Sequence, residues 1–199
     1  MSEHVVKIGP EPNKPTNVLE FKNAIDKSTC QQLYTLVSKA VFTSSTTTGD
    51  NAFCTSKTIH LDQNIPIIKS MNVKFSQMLN IPLEKGEQIQ GAYYDTGSYF
   101  KYHTDYFEEN EEEKFCKKSG QRVWSIMAFL NDGIQGGERV FPHYEKTFSP
   151  TEGTILAWRN IDEQGNKITN SAHFDAEVKK GNHAVIFKWF REKKFELYF

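Results

Sequence analysis

The chain has 199 residues, of which 38% are hydrophobic and 25% are charged, and its formal net charge is −1. This length suffices for one domain with a substantial core, and the near-neutral charge predicts no basic face for nucleic acid. No apolar run approaches the length of a membrane span, so we expect a soluble protein that binds neither nucleic acid nor a membrane.

The chain is predicted to begin with a loose N-terminal segment over 1–16, where three prolines lie among polar residues. A single domain is expected over 17–199, and its first element is a strand over 18–25. No secretory apolar region precedes this strand. The cysteines are scattered, odd in number and without a C-x-x-C spacing, which predicts reduced thiols and a cytoplasmic location: Cys30, Cys54 and Cys116.

Two helices are predicted before the main run of strands. Asp26 or Ser28 can cap the first, over 28–42, whose apolar residues recur at helical spacing. A segment dense in Ser, Thr, Gly and Asp predicts a loop over 43–51. The second helix is expected over 66–79, with a proline near its start.

After a short strand over 58–61, the pattern from residue 88 onward turns almost wholly to strands. Short apolar runs, such as that over 123–130, are separated by Gly, Pro, Asn and Asp turns. This spacing is typical of an all-β sandwich or barrel. An acidic run over 108–113 interrupts the strands, and it predicts either a solvated loop or a mobile rim of an active site.

A metal-ligand pattern lies within these strands. His103 and Asp105 are two apart on a predicted strand, so both side chains project to one face while Thr104 points away. His173, in a second aromatic-rich stretch, can supply a third ligand. Two histidines and one carboxylate form the face that holds non-haem Fe(II) and leaves the opposite coordination positions open. An isolated H-x-D also occurs by chance on protein surfaces, so the surrounding motifs decide between the two interpretations.

Five motifs in a fixed order carry a resemblance to a known family. They are Y-D-T-G-S-Y-F-K-Y-H-T-D (94–105), R-V-W-S-I-M-A-F-L-N-D (122–132), G-G-E-R-V-F-P (136–142), G-T-I-L-A-W-R-N (153–160) and H-F-D-A-E-V-K-K-G-N-H-A-V-I-F-K-W-F-R-E (173–192). Together they resemble the Fe(II)- and 2-oxoglutarate-dependent dioxygenases of the prolyl 4-hydroxylase type. The resemblance covers residues 17 to 194, nearly the whole chain.

The resemblance implies a mainly β fold of the α+β class. This fold is a double-stranded β-helix (jelly roll, cupin-like) with the N-terminal helices packed on one sheet. It also implies that His103, Asp105 and His173 bind the metal and carry catalysis, with Fe(II), 2-oxoglutarate and O2 as cofactors and ascorbate as a further candidate. The implied reaction is hydroxylation of a residue in a peptide or protein, with proline as the leading target. The sequence carries no signal for the oligomeric state.

Three further residues match cosubstrate-binding positions of the family. Tyr94 matches a tyrosine that hydrogen-bonds 2-oxoglutarate, although a core tyrosine would look the same. Ser125 takes the place of a hydroxyl residue that reaches the distal carboxylate. The family has a lysine ten residues after the last iron-binding histidine, and here that position is His183. Because Lys188 lies at an odd offset on the same strand, we expect His183, as an imidazolium or a weaker neutral donor, to bind the distal carboxylate.

The substrate side departs from the family in one position. Cys54 stands where many prolyl 4-hydroxylases have an arginine, beside the loop over 43–51 that in the family folds over the peptide. A thiol cannot imitate the planar five-donor group of arginine. Two alternatives therefore stay open beside peptidyl proline: hydroxylation of a free amino acid or other small molecule, and a catalytically silent metal-binding jelly-roll module.

Overall fold

The computed structural model describes residues 18–43 and 55–196, so the predicted segment over 1–16, Cys54 and residues 44–51 lie outside the described residues. The helices within these ranges are α1 (Lys27–Thr43), α2 (Pro66–Leu79) and α3 (Glu109–Phe115). The strands are β1 (Val18–Phe21), β2 (Lys57–His60), β3 (Gln90–Tyr94), β4 (Phe100–His103), β5 (Arg122–Phe129), β6 (Gln135–Gly136), β7 (Arg139–Phe141), β8 (Lys146–Phe148), β9 (Ile155–Arg159), β10 (His173–Asp175), β11 (Val178–Lys180) and β12 (His183–Arg191). Across the described ranges, no helix is long and apolar enough to cross a membrane.

The strands form two principal antiparallel sheets. The larger sheet has six strands in the order β1-β9-β5-β12-β3-β2, and the smaller has four in the order β4-β10-β7-β8. Strands β11 and β6 form a separate two-stranded pair. Chain neighbours such as β3 and β4 lie in different sheets, as in a double-stranded β-helix. The predicted fold class is confirmed.

Side chains along β5 alternate between two apolar cores, because successive residues of a strand point to opposite faces. Ile126 and Ala128 join the core beneath the helices, whereas Met127 and Phe129 join the core that includes residues of both sheets. All four are buried. The continuous apolar run over 123–130 therefore reflects a strand that is covered on both faces.

Helices α1 and α2 cover the outer face of the six-stranded sheet. Leu33 and Val37 of α1, with Ile68 and Phe75 of α2, pack into the core beneath the helices and are fully buried. Gly91 of β3 permits the close approach of α1, since a Cβ at this position would lie 2.6 Å from Val37 Cγ2. The expected packing of the N-terminal helices on one sheet is confirmed.

Capping groups explain where the helices begin. The predicted bounds of α2 match the structure, with Pro66 in its first turn. Asp26 Oδ1 accepts a hydrogen bond from the Thr29 backbone N–H at 2.9 Å. Asp26, rather than Ser28, therefore caps α1.

Two predicted elements differ in the structure. The first strand ends at Phe21 instead of continuing over 18–25, because the chain turns at Asn23 with φ at +52°. The acidic run forms helix α3 instead of a loop. A reciprocal capping box between Glu108 and Glu111 begins this helix, and the acidic first turn suits the positive end of the helix dipole.

Candidate active site

Three candidate metal ligands converge where β4 pairs with β10. His103 ends β4, Asp105 follows two residues later, and His173 begins β10. The register places His173 directly opposite His103. One donor atom from each of the three residues lies within 4.8 Å of the other two, and His103 Nε2 is 3.8 Å from Asp105 Oδ1. Pairing between distant segments therefore gathers the two-histidine, one-carboxylate set that the sequence predicts.

The tautomers of both histidines suit metal binding. His103 Nδ1 lies 2.7 Å from the Lys101 carbonyl oxygen, and His173 Nδ1 lies 2.9 Å from the Ser171 carbonyl oxygen. A carbonyl only accepts, so Nδ1 carries the proton and Nε2 keeps its lone pair. His173 Nε2 is buried without a hydrogen-bond partner among the described residues. A buried, unpartnered lone pair beside a carboxylate fits a bound cation.

The protonation states also suit a cation. Burial, with the charges of His103 and Arg139, lowers the pKa of His173 to about 3, and burial also lowers the pKa of His103. Burial opposes ionisation of Asp105, but the two histidines and the Ser125 hydrogen bond lower the pKa of Asp105 to about 2. At neutral pH the site holds neutral imidazoles and an ionised carboxylate, the states that metal ligation requires.

A polar chain behind Asp105 fixes its orientation. Ser125 Oγ donates to Asp105 Oδ2 at 2.5 Å and accepts a hydrogen bond from Asn160 Nδ2 at 2.9 Å. All three residues are buried. The Ser125 hydroxyl therefore donates its hydrogen bond to the candidate metal-binding carboxylate, whereas the sequence predicts that it reaches the distal carboxylate of the cosubstrate.

A cavity of about 560 Å³ adjoins the ligand set, within the size range of small-molecule sites. His103, Asp105 and Ser125 line its wall. Its inner end is lined by buried residues: Tyr94, Met127, Arg139 and Trp158. Its mouth is lined by more accessible residues: Tyr102, Glu108 and Glu111. The acidic segment thus lies at the rim of the cavity. This position agrees with the second of its two predicted interpretations, the rim of an active site.

A buried ionic network crosses the inner end of the cavity. Arg139 Nε and Nη2 donate to Asp175 Oδ1 and Oδ2 at 2.5 and 2.8 Å. The Tyr94 hydroxyl donates to Asp175 Oδ2 at 2.7 Å. Burial opposes ionisation of Asp175, but Arg139 and Tyr94 hold the pKa of this carboxyl below its usual value. Tyr94 therefore lines the cavity, as its predicted role needs, and its hydroxyl also holds Asp175.

His183 lies behind Tyr94 and does not line the cavity. The two residues are opposite each other in the register of β12 and β3, and their rings stack with centroids 4.6 Å apart. Neither ring nitrogen of His183 has a hydrogen-bond partner among the described residues. Burial lowers the pKa of His183 to about 4, so the ring is neutral at neutral pH. The predicted role of His183 needs contact with a cosubstrate carboxylate, and this placement sets its ring behind Tyr94, outside the cavity lining.

Two other cations at the cavity are engaged by neighbouring side chains. Lys188 Nζ donates to Asn72 of α2, which places the ammonium on the helix-covered face of β12. Arg122 Nε and Nη2 donate to the two carboxylate oxygens of Glu87 at 2.8 and 3.0 Å. The Arg122 guanidinium carbon also lies 3.6 Å from the centre of the Trp189 ring.

Sequence reasoning missed four residues of the site: Arg139, Asp175, Asn160 and Trp158. Two of them carried a usable signal. Arg139 is a charge within an apolar strand, directly before Val140 and Phe141. Asp175 is two residues after His173 on β10, the spacing that marks a shared strand face.

Comparisons with known sequences agree with this geometry. The 2OG-Fe(II) oxygenase superfamily matches residues 89–191. A protein of Acanthamoeba polyphaga mimivirus that carries the name of a prolyl 4-hydroxylase is 26% identical over 187 residues, covering 92% of this chain and 76% of that protein. Prolyl 4-hydroxylase 1 of Arabidopsis thaliana is 29% identical over 147 residues, covering 67% of this chain and 51% of the plant protein. The chain thus spans about half the length of the plant relative.

Solved structures share the fold. The 2OG complex of a viral collagen prolyl hydroxylase from Paramecium Bursaria Chlorella virus-1 aligns with a TM-score of 0.74 at 20% identity, covering 89% of this chain and 97% of that chain. A Pseudomonas putida prolyl-4-hydroxylase aligns with a TM-score of 0.64 at 14% identity, covering 89% and 93%. The superfamily match spans more than half of the chain and includes all three converging ligands. The chain therefore belongs to the 2OG-Fe(II) oxygenase superfamily.

Proposed function

We propose that this protein is an Fe(II)- and 2-oxoglutarate-dependent hydroxylase that acts on a residue of a peptide or protein, with proline as the leading target. The observation that carries the proposal is the convergence of His103, Asp105 and His173 beside an open cavity, which His103 and Asp105 line. These three residues would hold the iron. When bound, Fe(II) and the 2-oxo acid would supply the oxidising power to insert one atom of O2 into a C–H bond, while the 2-oxo acid takes up the other atom and loses CO2.

The chain's own groups prepare this site. The Lys101 and Ser171 carbonyls fix the two imidazoles with Nε2 available, so no tautomer change precedes ligation. Ser125 holds one oxygen of Asp105, which leaves the other oxygen for the metal. The buried inner end of the cavity excludes bulk water, while the exposed mouth admits a substrate.

The choice of a peptide substrate rests on the relatives. The mimivirus and Arabidopsis proteins carry prolyl 4-hydroxylase names, and a related structure is a Trichoplax adhaerens prolyl hydroxylase in complex with a hypoxia inducible factor peptide fragment. A partly exposed cavity mouth suits a chain that passes across it. Hydroxylation of a small molecule is the second candidate within the same chemistry. Ascorbate use and a cytoplasmic location stay predictions.

A peptide screen tests the proposal. Purified protein with Fe(II), 2-oxoglutarate and O2 is incubated with a panel of proline-containing peptides, and both succinate and the mass of each peptide are measured. The proposal expects succinate and the gain of one oxygen atom on a prolyl residue. Asp105→Ala is the matched control and should give neither product. Oxygen gain on free amino acids alone would favour the second candidate, and absence of succinate under all conditions would favour a silent module.

A further inference from the structure

The inner end of the cavity contains a buried arginine with unused hydrogen-bond donors. Arg139 is 8% exposed, lies on β7 and is opposite Asp175 in the register of β7 and β10. Asp175 accepts from Nε and Nη2, so it occupies the side edge of the guanidinium. A guanidinium has five N–H donors, and Asp175 takes two of them. The described residues offer no acceptor for the other three.

Unused donors on a buried cation call for an acceptor. A planar guanidinium edge matches the two oxygens of a carboxylate. Asp175 holds the side edge, and this leaves the end edge, Nη1 with Nη2, for a second carboxylate. Since Arg139 lines the cavity, a bound molecule can supply that carboxylate.

A second donor lies on the same wall. The Trp158 indole N–H is buried and has no acceptor among the described residues. The centre of the Trp158 ring lies 5.4 Å from the Arg139 guanidinium carbon and 4.9 Å from the centre of the His173 ring. The Trp158 side chain is therefore close to both the Arg139 guanidinium and His173 of the ligand set.

The other candidate cations lack these properties. His183 is neutral and covered by Tyr94, and Lys188 is held by Asn72. In Arg122, Nε and Nη2 donate to Glu87, and Nη1 donates to the Asp105 carbonyl. Lys188 is also buried and charged, but its contact with Asn72 places the ammonium on the helix-covered face of β12. Among the residues that the structure describes along the cavity, Arg139 alone combines burial with an end edge of the guanidinium that has no acceptor.

We propose that Arg139, and not a residue of β12, binds the distal carboxylate of the 2-oxo acid cosubstrate, with Asp175 and Tyr94 as residues that position its guanidinium. This inference rests on the proposed function, since it assigns a residue to that cosubstrate. It explains how position 183 can hold a histidine where the resembling family has a lysine: the cation is supplied from the opposite sheet. The site then selects 2-oxo acids that carry a second carboxylate.

Ligand binding tests the inference without turnover. Isothermal titration of the Mn(II)-loaded protein compares 2-oxoglutarate with 2-oxopentanoate, which has the same carbon chain but lacks the distal carboxylate. Arg139→Gln keeps a donor for Asp175 but loses the charge. We expect it to weaken 2-oxoglutarate binding about 100-fold and to leave 2-oxopentanoate binding unchanged. Arg139→Lys should recover part of the loss.

Two further variants keep the result decisive. Arg139→Gln combined with Asp175→Asn removes both charges of the pair, so no ion is left buried alone, and it should show the same selective loss. Arg159→Gln is the matched control, since Arg159 is a partly exposed arginine at the end of β9 that does not line the cavity. A selective loss in His183→Gln instead, or equal binding of 2-oxoglutarate by wild type and Arg139→Gln, overturns the inference. Failure of the wild-type protein to bind either acid with metal present contradicts the proposed function itself.

Discussion

His173 and His103 are fixed by the same local contact on two neighbouring strands. Each ring places Nδ1 against the backbone carbonyl of the residue two positions earlier, Ser171 for the first and Lys101 for the second. The ring centroids are 4.5 Å apart. Because a backbone carbonyl holds Nδ1 of each ring, the fold directs both Nε2 atoms. The ligand set is therefore prepared by the fold before any metal binds.

Ser125 is expected to tune the metal site through Asp105. Ser125→Ala removes the hydrogen bond to Asp105 Oδ2 and leaves the carboxylate free to rotate. Loss of such an outer partner typically lowers metal affinity or activity by about 10- to 100-fold. Titration of Mn(II) into the two proteins measures the affinity. Ser125→Thr keeps the hydroxyl and should retain wild-type binding, so an equal loss in both variants would assign the effect to packing.

Gly91 should be intolerant of a side chain because α1 packs directly on it. A Cβ at this position would lie 2.6 Å from Val37 Cγ2, so we expect Gly91→Ala to lower the free energy of unfolding by about 1–3 kcal/mol. Val37→Ala removes the opposing methyl groups. The double variant should therefore lose less unfolding free energy than the two single variants lose in total. Urea unfolding of wild type, both single variants and the double variant measures this coupling. Simple additivity would contradict the packing account.

Lys188 should make stability depend on pH. Burial lowers the pKa of Lys188 to about 8 in the folded protein, from an ordinary value of 10.5, although Glu87 opposes the shift. Between these values the unfolded chain binds more protons than the folded chain. Below pH 8, Lys188 therefore lowers the free energy of unfolding by its full burial penalty. This penalty shrinks as the pH rises from about 8 to 10.5, so the free energy of unfolding rises across this window.

Lys188→Met removes this dependence. We expect the stability of wild type relative to Lys188→Met to rise by roughly 3 kcal/mol between pH 7.5 and 10.5. Urea unfolding at several pH values measures the difference. Lys69→Met, at an exposed position on α2, is the matched control for loss of a lysine. A constant difference between wild type and Lys188→Met would show that the ammonium is not penalised by burial.

Local signals were enough to predict much of the fold. The bounds of α2 follow from Pro66 and the spacing of its apolar residues, and both determinants lie within one segment. The acidic run was harder, because charged residues favour solvent and their composition alone indicates a loop. The capping interaction between Glu108 and Glu111 could have indicated a helix there.

The site residues also divide into those that the local sequence predicts and those that depend on contacts between distant segments. His103 and Asp105 were predictable because the period of a strand places them on one face. The ion pair of Arg139 with Asp175 depends on which strands become neighbours, and one strand's pattern does not reveal this. His183 was assigned by spacing from His173 alone. Spacing gives the strand position, but the stacking of Tyr94 over the ring is a tertiary contact that only the structure reveals.

We expect His103, Asp105 and His173 together to hold one catalytic metal ion, and titration of metal into the protein is the decisive measurement. Isothermal titration of Mn(II), in place of the oxygen-sensitive Fe(II), into wild type and Asp105→Ala measures stoichiometry and affinity, with circular dichroism as the check on folding. We expect one ion per chain in wild type and loss of this binding in the folded Asp105→Ala variant. Unchanged binding in Asp105→Ala, or no stoichiometric binding in wild type, would contradict it.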